Sequence, residues 1–399
     1  MALESWIETT IGQQVTLQRG IDITKAEQRD GNVPVISSGG VSSYHDTAAV
    51  KGPGVVLGRK GVVGSVFYVE EDYWPHDTSL WVKDFHENNP RFVYYFFKSI
   101  APQIARLDVG SANPTLNRNH VHPMAIIWPP LVEQKAIAKA LGALDDKIEL
   151  NRRMNATLEA MARALFQSWF VDFDPVRAKL DGRQPVGMDE ATAALFPDGF
   201  EESSLGQIPK GWRVSRLEEI ASVLMGLSPG GESYNADGIG TPLINGPMEF
   251  GDYFPVKTKW TEAATRFSSE GDLIFCVRGS TTGRRVVSDG EYCIGRGVCA
   301  IRAKGGYLGF LYQTINVSLD RLLEKATGSV FPSLSSPDIK GLSVLKPSKS
   351  ILEAYERMTI PIVQQIQKNH YQSRTLNTLR ETLLPKLLSG ELSVGKLQN

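Results

Sequence analysis

Residues with the types and spacing that enzyme chemistry needs are sparse in this 399-residue chain. His120 and His122 flank Val121, so on a strand both imidazoles would lie on one face, where they could ligate a metal ion. The surrounding sequence offers no further cluster of ligands, and surface or backbone-bonded histidines are the favoured interpretation. We therefore expect no metal site.

A second group has residue types found in nuclease centres. His76 and Asp77 precede Lys83, but Trp81 stands where a second carboxylate would be needed. Strand sequence is the better interpretation of this segment.

Cofactor-binding motifs are also missing from the sequence. Residues 54–60 lack the spacing and the final hydroxyl of a phosphate-binding loop, and no GxGxxG fingerprint follows an apolar strand. Asn113 and Pro114 are followed by Thr115 and Leu116, where a methyltransferase motif would have proline and an aromatic residue. We expect that the chain is not an enzyme and holds no cofactor itself.

Loop residues with guanidinium, amide and hydroxyl groups indicate a different chemistry, the reading of DNA. Arginine bonds guanine edges, asparagine reads adenine, and lysine binds phosphate. The candidates are Arg59, Lys60, Ser65, Asn113, Asn117 and Arg118 in the first half, and Arg278, Ser280, Thr281, Arg284, Arg285 and Arg296 in the second. For each candidate, a merely solvated side chain is the alternative.

The formal net charge of −1 argues against a simple DNA-binding module, which is usually basic. One segment of the second half is nevertheless cationic. It carries Arg278, Arg284, Arg285, Arg296, Arg302 and Lys304 against only Asp289 and Glu291. A local patch of this kind can bind phosphate while the whole chain stays neutral.

The elements that position these loops are duplicated in the sequence. Residues 110–116 are echoed by residues 328–334, and the same offset relates Asn151 to Asn369. If the offset between the copies is lengthened by one residue, Arg59 aligns with Arg278. The slipped register also pairs Gly64 with Gly283, and Trp6 and Trp212 would open the two copies. A period this long indicates duplicated domains and not a solenoid.

Each copy has a globular part and a helical part. Residues 1–130 and 211–348 have short apolar runs broken by glycine and asparagine, which predict mixed α/β domains. Residues 172–210 form a joint of turn signals, with a short helix near residues 188–196 and aromatics that predict packing.

Residues 131–171 and 349–392 are predicted as long helices, with apolar residues stepping by three and four. The predicted pairing stripe is Leu141, Leu144, Ile148, Asn151, Leu158 and Leu165, matched by Ile362, Ile366, Asn369, Leu376 and Leu383. An antiparallel coiled coil is favoured over ordinary core helices, because both stripes turn polar at the same middle positions. Thr359, Pro361 and Arg380 make the second helix less regular and leave its beginning open.

This organisation predicts a pseudo-two-fold internal repeat whose paired helices hold the two domains apart. Forty residues of helix span about 60 Å, and DNA half-sites read from one face lie about 34–36 Å apart or at a multiple. Because the two domains differ in sequence, we expect them to read a bipartite, asymmetric site.

The compartment expected from the sequence is the cytoplasm. Apolar runs fall short of the roughly 20 residues that a membrane helix needs, and Glu4 and Glu8 are unlike a signal peptide. Cys276, Cys293 and Cys299 lack a CxxC spacing, which favours buried thiols in a reducing environment.

Four segments carry a family resemblance. Residues 130–151, 165–175, 195–212 and 383–392 resemble the helices and joint of type I restriction-modification specificity subunits. The likeness is specific in these segments and weak in the globular parts.

The resemblance implies that the globular parts are target recognition domains and that the helices are spacers. It also implies double-stranded DNA, two methyltransferase subunits and, through them, restriction subunits as partners. S-adenosylmethionine, ATP and Mg²⁺ would then belong to the partner subunits. The alternative is a coiled-coil scaffold or protein-interaction module that reads no DNA; an enzyme of unknown type is a third interpretation.

Overall fold

The computed structural model describes residues 5–107, 115–326 and 332–394. It divides into two compact units, Met1–Asn151 with Tyr371–Asn399, and Arg152–His370. This division cuts both long helices, whereas the sequence-based segments place each helix in a segment of its own. Those segment boundaries remain a prediction.

The chain from Ser5 to Phe170 contains nine strands and four helices among its described residues. The strands are β1 Ile7–Thr10, β2 Thr16–Arg19, β3 Val33–Ser37, β4 Gly40–His45, β5 Gly54–Gly58, β6 Val66–Val69, β7 Trp74–Pro75, β8 Ser79–Asp84 and β9 Ala125–Trp128. The helices are α1 Ile11–Gln14, α2 Pro90–Ala105, α3 Arg118–Val121 and α4 Leu131–Phe170. We call β1–β9 with α1–α3 the first domain.

A four-stranded sheet in the order β2-β8-β5-β6 forms the centre of the first domain. Strand β5 is an apolar run bounded by glycines and is buried on both faces, as its unbroken hydrophobicity predicts. Helix α2 covers the sheet with Phe92, Val93 and Phe97. Its start is set by Asn89, whose side chain accepts a hydrogen bond from the Phe92 amide.

The rest of the described chain adds further strands and helices. The strands are β10 Phe200–Ser203, β11 Gly206–Pro209, β12 Arg213–Arg216, β13 Ala221–Met225, β14 Tyr234–Asn235, β15 Thr241–Ile244, β16 Trp260–Thr261, β17 Phe267–Ser268, β18 Leu273–Cys276, β19 Arg285–Val287, β20 Tyr292–Ile294, β21 Val298–Ala303 and β22 Ser343–Lys346. The helices are α5 Asp174–Leu180, α6 Glu190–Ala194, α7 Leu217–Ile220, α8 Leu308–Val317, α9 Leu319–Leu323, α10 Ser336–Lys340 and α11 Lys349–Leu388. We call β12–β22 with α7–α10 the second domain.

The second domain repeats the topology of the first. The sheet order β13-β21-β18-β19 reproduces β2-β8-β5-β6, and the antiparallel pair β12-β22 reproduces β1-β9. The parallel pairs β3-β7 and β15-β20 also correspond. The predicted internal repeat is confirmed.

One detail of the sequence alignment is wrong. The backbone of Lys60 pairs with that of Thr115 in the first domain as an isolated antiparallel β-bridge. The backbone of Arg278 pairs with that of Ser333 in the same way in the second domain. Lys60, not Arg59, is therefore the counterpart of Arg278. The one-residue slippage begins after this point, because a turn between β18 and β19 is one residue longer than its counterpart between β5 and β6.

The aligned glycines Gly64 and Gly283 do correspond. Both have positive φ, 84° and 96°. A Cβ on Gly64 would lie 2.9 Å from the Ala101 oxygen, and one on Gly283 would lie 3.2 Å from the Leu319 side chain. In each domain this glycine lets a tight turn pass against the covering helix.

Helices α4 and α11 each run for 40 residues. In the first unit, the Asn151 amide donates to Gln372 and Ser373 at 2.9 and 3.1 Å, while Asp145 pairs with Arg380. Residues that come later in α4 contact residues that come earlier in α11, so these two helix segments are antiparallel.

The same direction holds in the second unit. The Asn369 amide donates to Asn155 at 2.8 Å, and the Tyr355 hydroxyl lies 3.5 Å from the Ala162 oxygen. The predicted antiparallel pairing of the long helices is confirmed. Pro361 occupies an exposed position within α11.

The residues of the predicted stripe are all buried or partly buried. Leu141, Asn151, Ile366 and Asn369 are buried, and Leu144, Ile148, Leu158, Leu165, Ile362, Leu376 and Leu383 are intermediate. The polar middle positions therefore lie inside the helix pair, where their amides need partners.

The joint packs against the end of helix α4, as its aromatic residues predict. Phe196 meets Trp169 at 5.0 Å and Phe173 meets Phe200 at 5.9 Å, both edge to face. The predicted short helix is α6, and the hairpin β10-β11 beside it was not anticipated. Within the described part of the chain, no helix is both long and apolar enough to cross a membrane.

Candidate nucleic-acid interface

A cluster of basic side chains surrounds Asp77 in the first domain. The Arg19 Nη2 donates to Asp77 Oδ2 at 2.8 Å, and Lys60 Nζ lies 3.9 Å from the same oxygen. Arg59 Nη1 donates to the Asp77 backbone oxygen at 3.2 Å. Strand β8 lies between β2 and β5, so the ends of three strands place these groups together.

The charges in this cluster are interdependent. Burial raises the pKa of Asp77, but the hydrogen bond from Arg19 and the charges of His76, Lys60 and Arg19 outweigh it and hold the pKa below its ordinary value. For Arg59, burial lowers the pKa and the Arg19 charge adds to this, while Asp77 opposes both. Asp77 thus offsets the repulsion among the surrounding cations.

Three of the other first-domain candidates have internal partners. Arg118 Nη1 donates to the Leu17 oxygen at 3.3 Å, which places it beside strand β2. Asn117 caps α3 by accepting from the Asn119 amide at 3.0 Å. The Ser65 hydroxyl donates to the Ser38 oxygen at 2.6 Å. The sixth candidate, Asn113, lies outside the described residues.

Arg278 and Arg284 are the exposed cations of the turn between β18 and β19. Neither side chain has an ion pair or hydrogen bond among the described residues. Ser280 is also exposed, and the Thr281 hydroxyl lies 3.6 Å from the Cys276 sulfur. As far as the described residues show, this turn therefore presents two guanidinium groups to solvent.

Arg285 is built into the fold of the second domain. Its Nε donates to Asn316 Oδ1 at 2.7 Å and its Nη1 to the Gly283 oxygen at 3.0 Å. Burial lowers its pKa. A guanidinium bound in this way ties the turn to helix α8 and has fewer donors left for DNA.

Fewer cations of the cationic segment are available for DNA than its sequence indicates, because two more of them have internal partners. Arg302 pairs with Asp272 at 2.7 and 2.8 Å, and Lys304 donates to the Glu218 oxygen at 2.6 Å. Arg296 keeps an exposed side chain, while its backbone amide donates to Ser228 at 3.0 Å.

The two histidines considered as metal ligands lie at a helix and not on a strand. His120 belongs to α3, and His122 follows it. The His122 Nε2 accepts a hydrogen bond from the Leu17 amide at 3.0 Å, so this nitrogen is occupied. Burial, followed by the Arg118 charge, lowers the pKa of His122.

A group of potential ligands arises instead at the basic cluster. Ligand atoms of Asp22, His76 and Asp77 lie within 4.8 Å of one another. Arg19 and Lys60 already neutralise Asp77, which disfavours a cation there. Sequence reasoning missed Arg19 and Asp77 as cluster members, although a basic residue at a strand end was a usable signal.

Comparisons with known proteins agree with the resemblance. Residues 4–160 match the family model of the type I restriction modification DNA specificity domain. The specificity subunit of the type I restriction enzyme MjaIX from Methanocaldococcus jannaschii is 25% identical, over 77% of this chain and 70% of that protein. The HindI specificity subunit from Haemophilus influenzae is 24% identical, over 70% and 71%.

A solved structure shares the fold. The type I restriction-modification S subunit from M. genitalium superposes with a TM-score of 0.63 at 17% identity, covering 96% of both chains. The resemblance to type I restriction-modification specificity subunits is thus confirmed: residues 4–160 are similar to the type I restriction modification DNA specificity domain, and most of the chain is similar to the two specificity subunits.

Proposed function

We propose that this chain is the DNA sequence-specificity subunit of a type I restriction-modification complex. Each domain reads one part of a bipartite, asymmetric DNA site. The duplication carries this proposal, because one topology occurs twice while the basic residues on its loops differ. Shared topology provides two equivalent readers, and different loop side chains give them different targets.

The chain supplies recognition and no catalysis in this proposal. Two methyltransferase subunits dock on it and bring restriction subunits, and these partners use S-adenosylmethionine, ATP and Mg²⁺. The cytoplasm is the compartment that fits, since Cys276, Cys293 and Cys299 are free and buried. The chain alone should neither methylate nor cut DNA, and stoichiometric binding of S-adenosylmethionine in calorimetry would contradict this division of labour.

Mapping of methylated bases in the host genome tests the function. Deletion of this gene should abolish methylation at one two-part motif, and re-expression should restore it. Retention of every methylated motif after deletion would refute the proposal.

The scaffold alternative makes a different prediction. A scaffold would assemble the partner subunits without sequence preference, whereas a specificity subunit should bind its duplex with an affinity that falls as salt rises. Binding of the reconstituted complex to duplexes with and without the mapped motif separates the two functions.

A further inference from the structure

In each domain one loop lies against the end of an equivalent strand, which is β2 in the first domain and β13 in the second. At the end of β2, a Cβ on Gly20 would lie 2.0 Å from the His76 oxygen. After β13, a Cβ on Gly226 would lie 2.1 Å from the Gly295 oxygen. Only glycine allows so close a backbone approach, so His76 and Gly295 occupy equivalent positions.

Backbone hydrogen bonds support this equivalence. The Ile21 amide donates to the Pro75 oxygen at 2.7 Å, and the Leu227 amide donates to the Ile294 oxygen at 2.9 Å. These bonds align the two loops residue by residue. The next residue of the loop is Asp77 in the first domain and Arg296 in the second.

The charge at this matched position is reversed between the domains. Asp77 has a side chain only 15% exposed and accepts from Arg19, whose side chain is 57% exposed. Arg296 is exposed, and its side chain has no ion pair or hydrogen bond among the described residues. The first domain therefore has an arginine paired with a carboxylate at this loop, whereas the second has an arginine whose side chain has no partner in the described part of the chain.

The pair in the first domain is suited to base reading. A guanidinium has five N–H donors, and the 2.8 Å bond to Asp77 occupies one of them. The remaining donors can take the two acceptors on the major-groove edge of guanine. Asp77 restricts the rotamers of Arg19 before DNA arrives, which lowers the entropy lost on binding.

We propose that Arg19, oriented by Asp77, reads a guanine edge in one half-site and that Arg296 does so in the other. Asp77 is a positioning residue that acts through Arg19. This inference rests on the proposed function and assigns the specificity-determining groups within it.

Methylation preferences of the complete complex on randomised duplexes test the assignment. Arg19→Lys keeps the charge but loses the two-bonded contact, so discrimination should fall about 5- to 100-fold at one base position of one half-site. Asp77→Asn should lower discrimination at the same base position. Asp77→Glu, which keeps the carboxylate, should lower it less. Arg296→Lys should relax one position of the other half-site only.

Asp46→Asn is the matched control. Asp46 forms an exposed pair with Arg29 at 2.6 Å in the same domain, and Asp22, His76 and Asp77 take no part in it. The control should keep all preferences. Uniform weakening at every position, or unchanged preferences in Arg19→Lys, would overturn the assignment. Absence of any two-part preference in the wild-type complex would instead refute the proposed function.

Discussion

At the scale of single residues, partners decide which charged groups are available. Arg284 and Arg285 are adjacent, yet Arg284 faces solvent and Arg285 binds Asn316 and the turn backbone. The structure therefore uses Arg285 in folding, whereas Arg284 is exposed, as the DNA-contacting role that we propose for it requires.

Arg285→Ala should destabilise the second domain, while Arg278→Ala should not. Loss of charge-assisted hydrogen bonds to Asn316 and Gly283 costs about 1–3 kcal/mol in the free energy of unfolding, measured by denaturant titration. Arg278→Ala should leave this free energy within about 0.5 kcal/mol of wild type and weaken DNA binding. Equal destabilisation by both variants would contradict the assigned roles.

Glu356 gives the protein a pH-dependent stability term. It is buried and accepts from the Phe310 amide at 2.8 Å. Burial raises its pKa, and the bonds from Phe310 and Gly309 oppose this only in part. Because the folded-state pKa is raised, its contribution is present at low pH and is lost as pH rises above the ordinary carboxyl pKa through the raised one.

Glu356→Gln should remove this dependence. Free energies of unfolding measured across that pH range should show wild type losing stability relative to the variant as pH rises. If the difference in free energy of unfolding between wild type and Glu356→Gln were independent of pH, the predicted pH dependence would be wrong.

At the scale of elements, the two long helices combine apolar contacts with a buried amide pair. Asn155 and Asn369 bond each other inside the second unit at 2.8 Å. Buried polar pairs of this kind set the register of paired helices at some cost in stability. The two amides depend on each other, which a double-mutant cycle can measure.

Asn369→Leu should destabilise the second unit by about 1–3 kcal/mol, because it leaves the Asn155 amide without this partner. Asn155→Leu with Asn369→Leu should cost less than the sum of the single changes. Denaturant unfolding measures all three variants, with Thr378→Ala on an exposed position of α11 as control. Strict additivity would exclude the coupling.

At the scale of the whole molecule, the core of the first domain includes the C-terminal segment of the chain. Leu384 and Leu387 are buried with Ile137 and Leu141. Each buried leucine contributes about 1.5–3 kcal/mol. The first half of the sequence alone therefore leaves an apolar face uncovered.

A fragment of residues 1–210 should consequently pair with a second copy, whose repeated helix pattern offers a matching stripe. With methyltransferase subunits, such a two-fold dimer should read an inverted repeat of one half-site. Sedimentation followed by methylation mapping tests both steps. A monomer that still reads the original asymmetric site would contradict the prediction.

The sequence by itself determined the two long helices and the repeat. Local periodicity is enough to define helices of 40 residues, and strands such as β5 follow from unbroken apolar runs. The matched polar positions Asn151 and Asn369 also revealed the helix pairing, because duplication preserves spacing along the chain.

Only the tertiary structure decided which side chains form the candidate site. Arg19 and Asp77 are 58 residues apart in the chain and meet because β8 pairs with β2. Likewise, Arg285 has part of its guanidinium occupied by Asn316, 31 residues away. Such long-range pairings leave no periodic signal, since the partner of a surface charge depends on which strands are neighbours in the sheet.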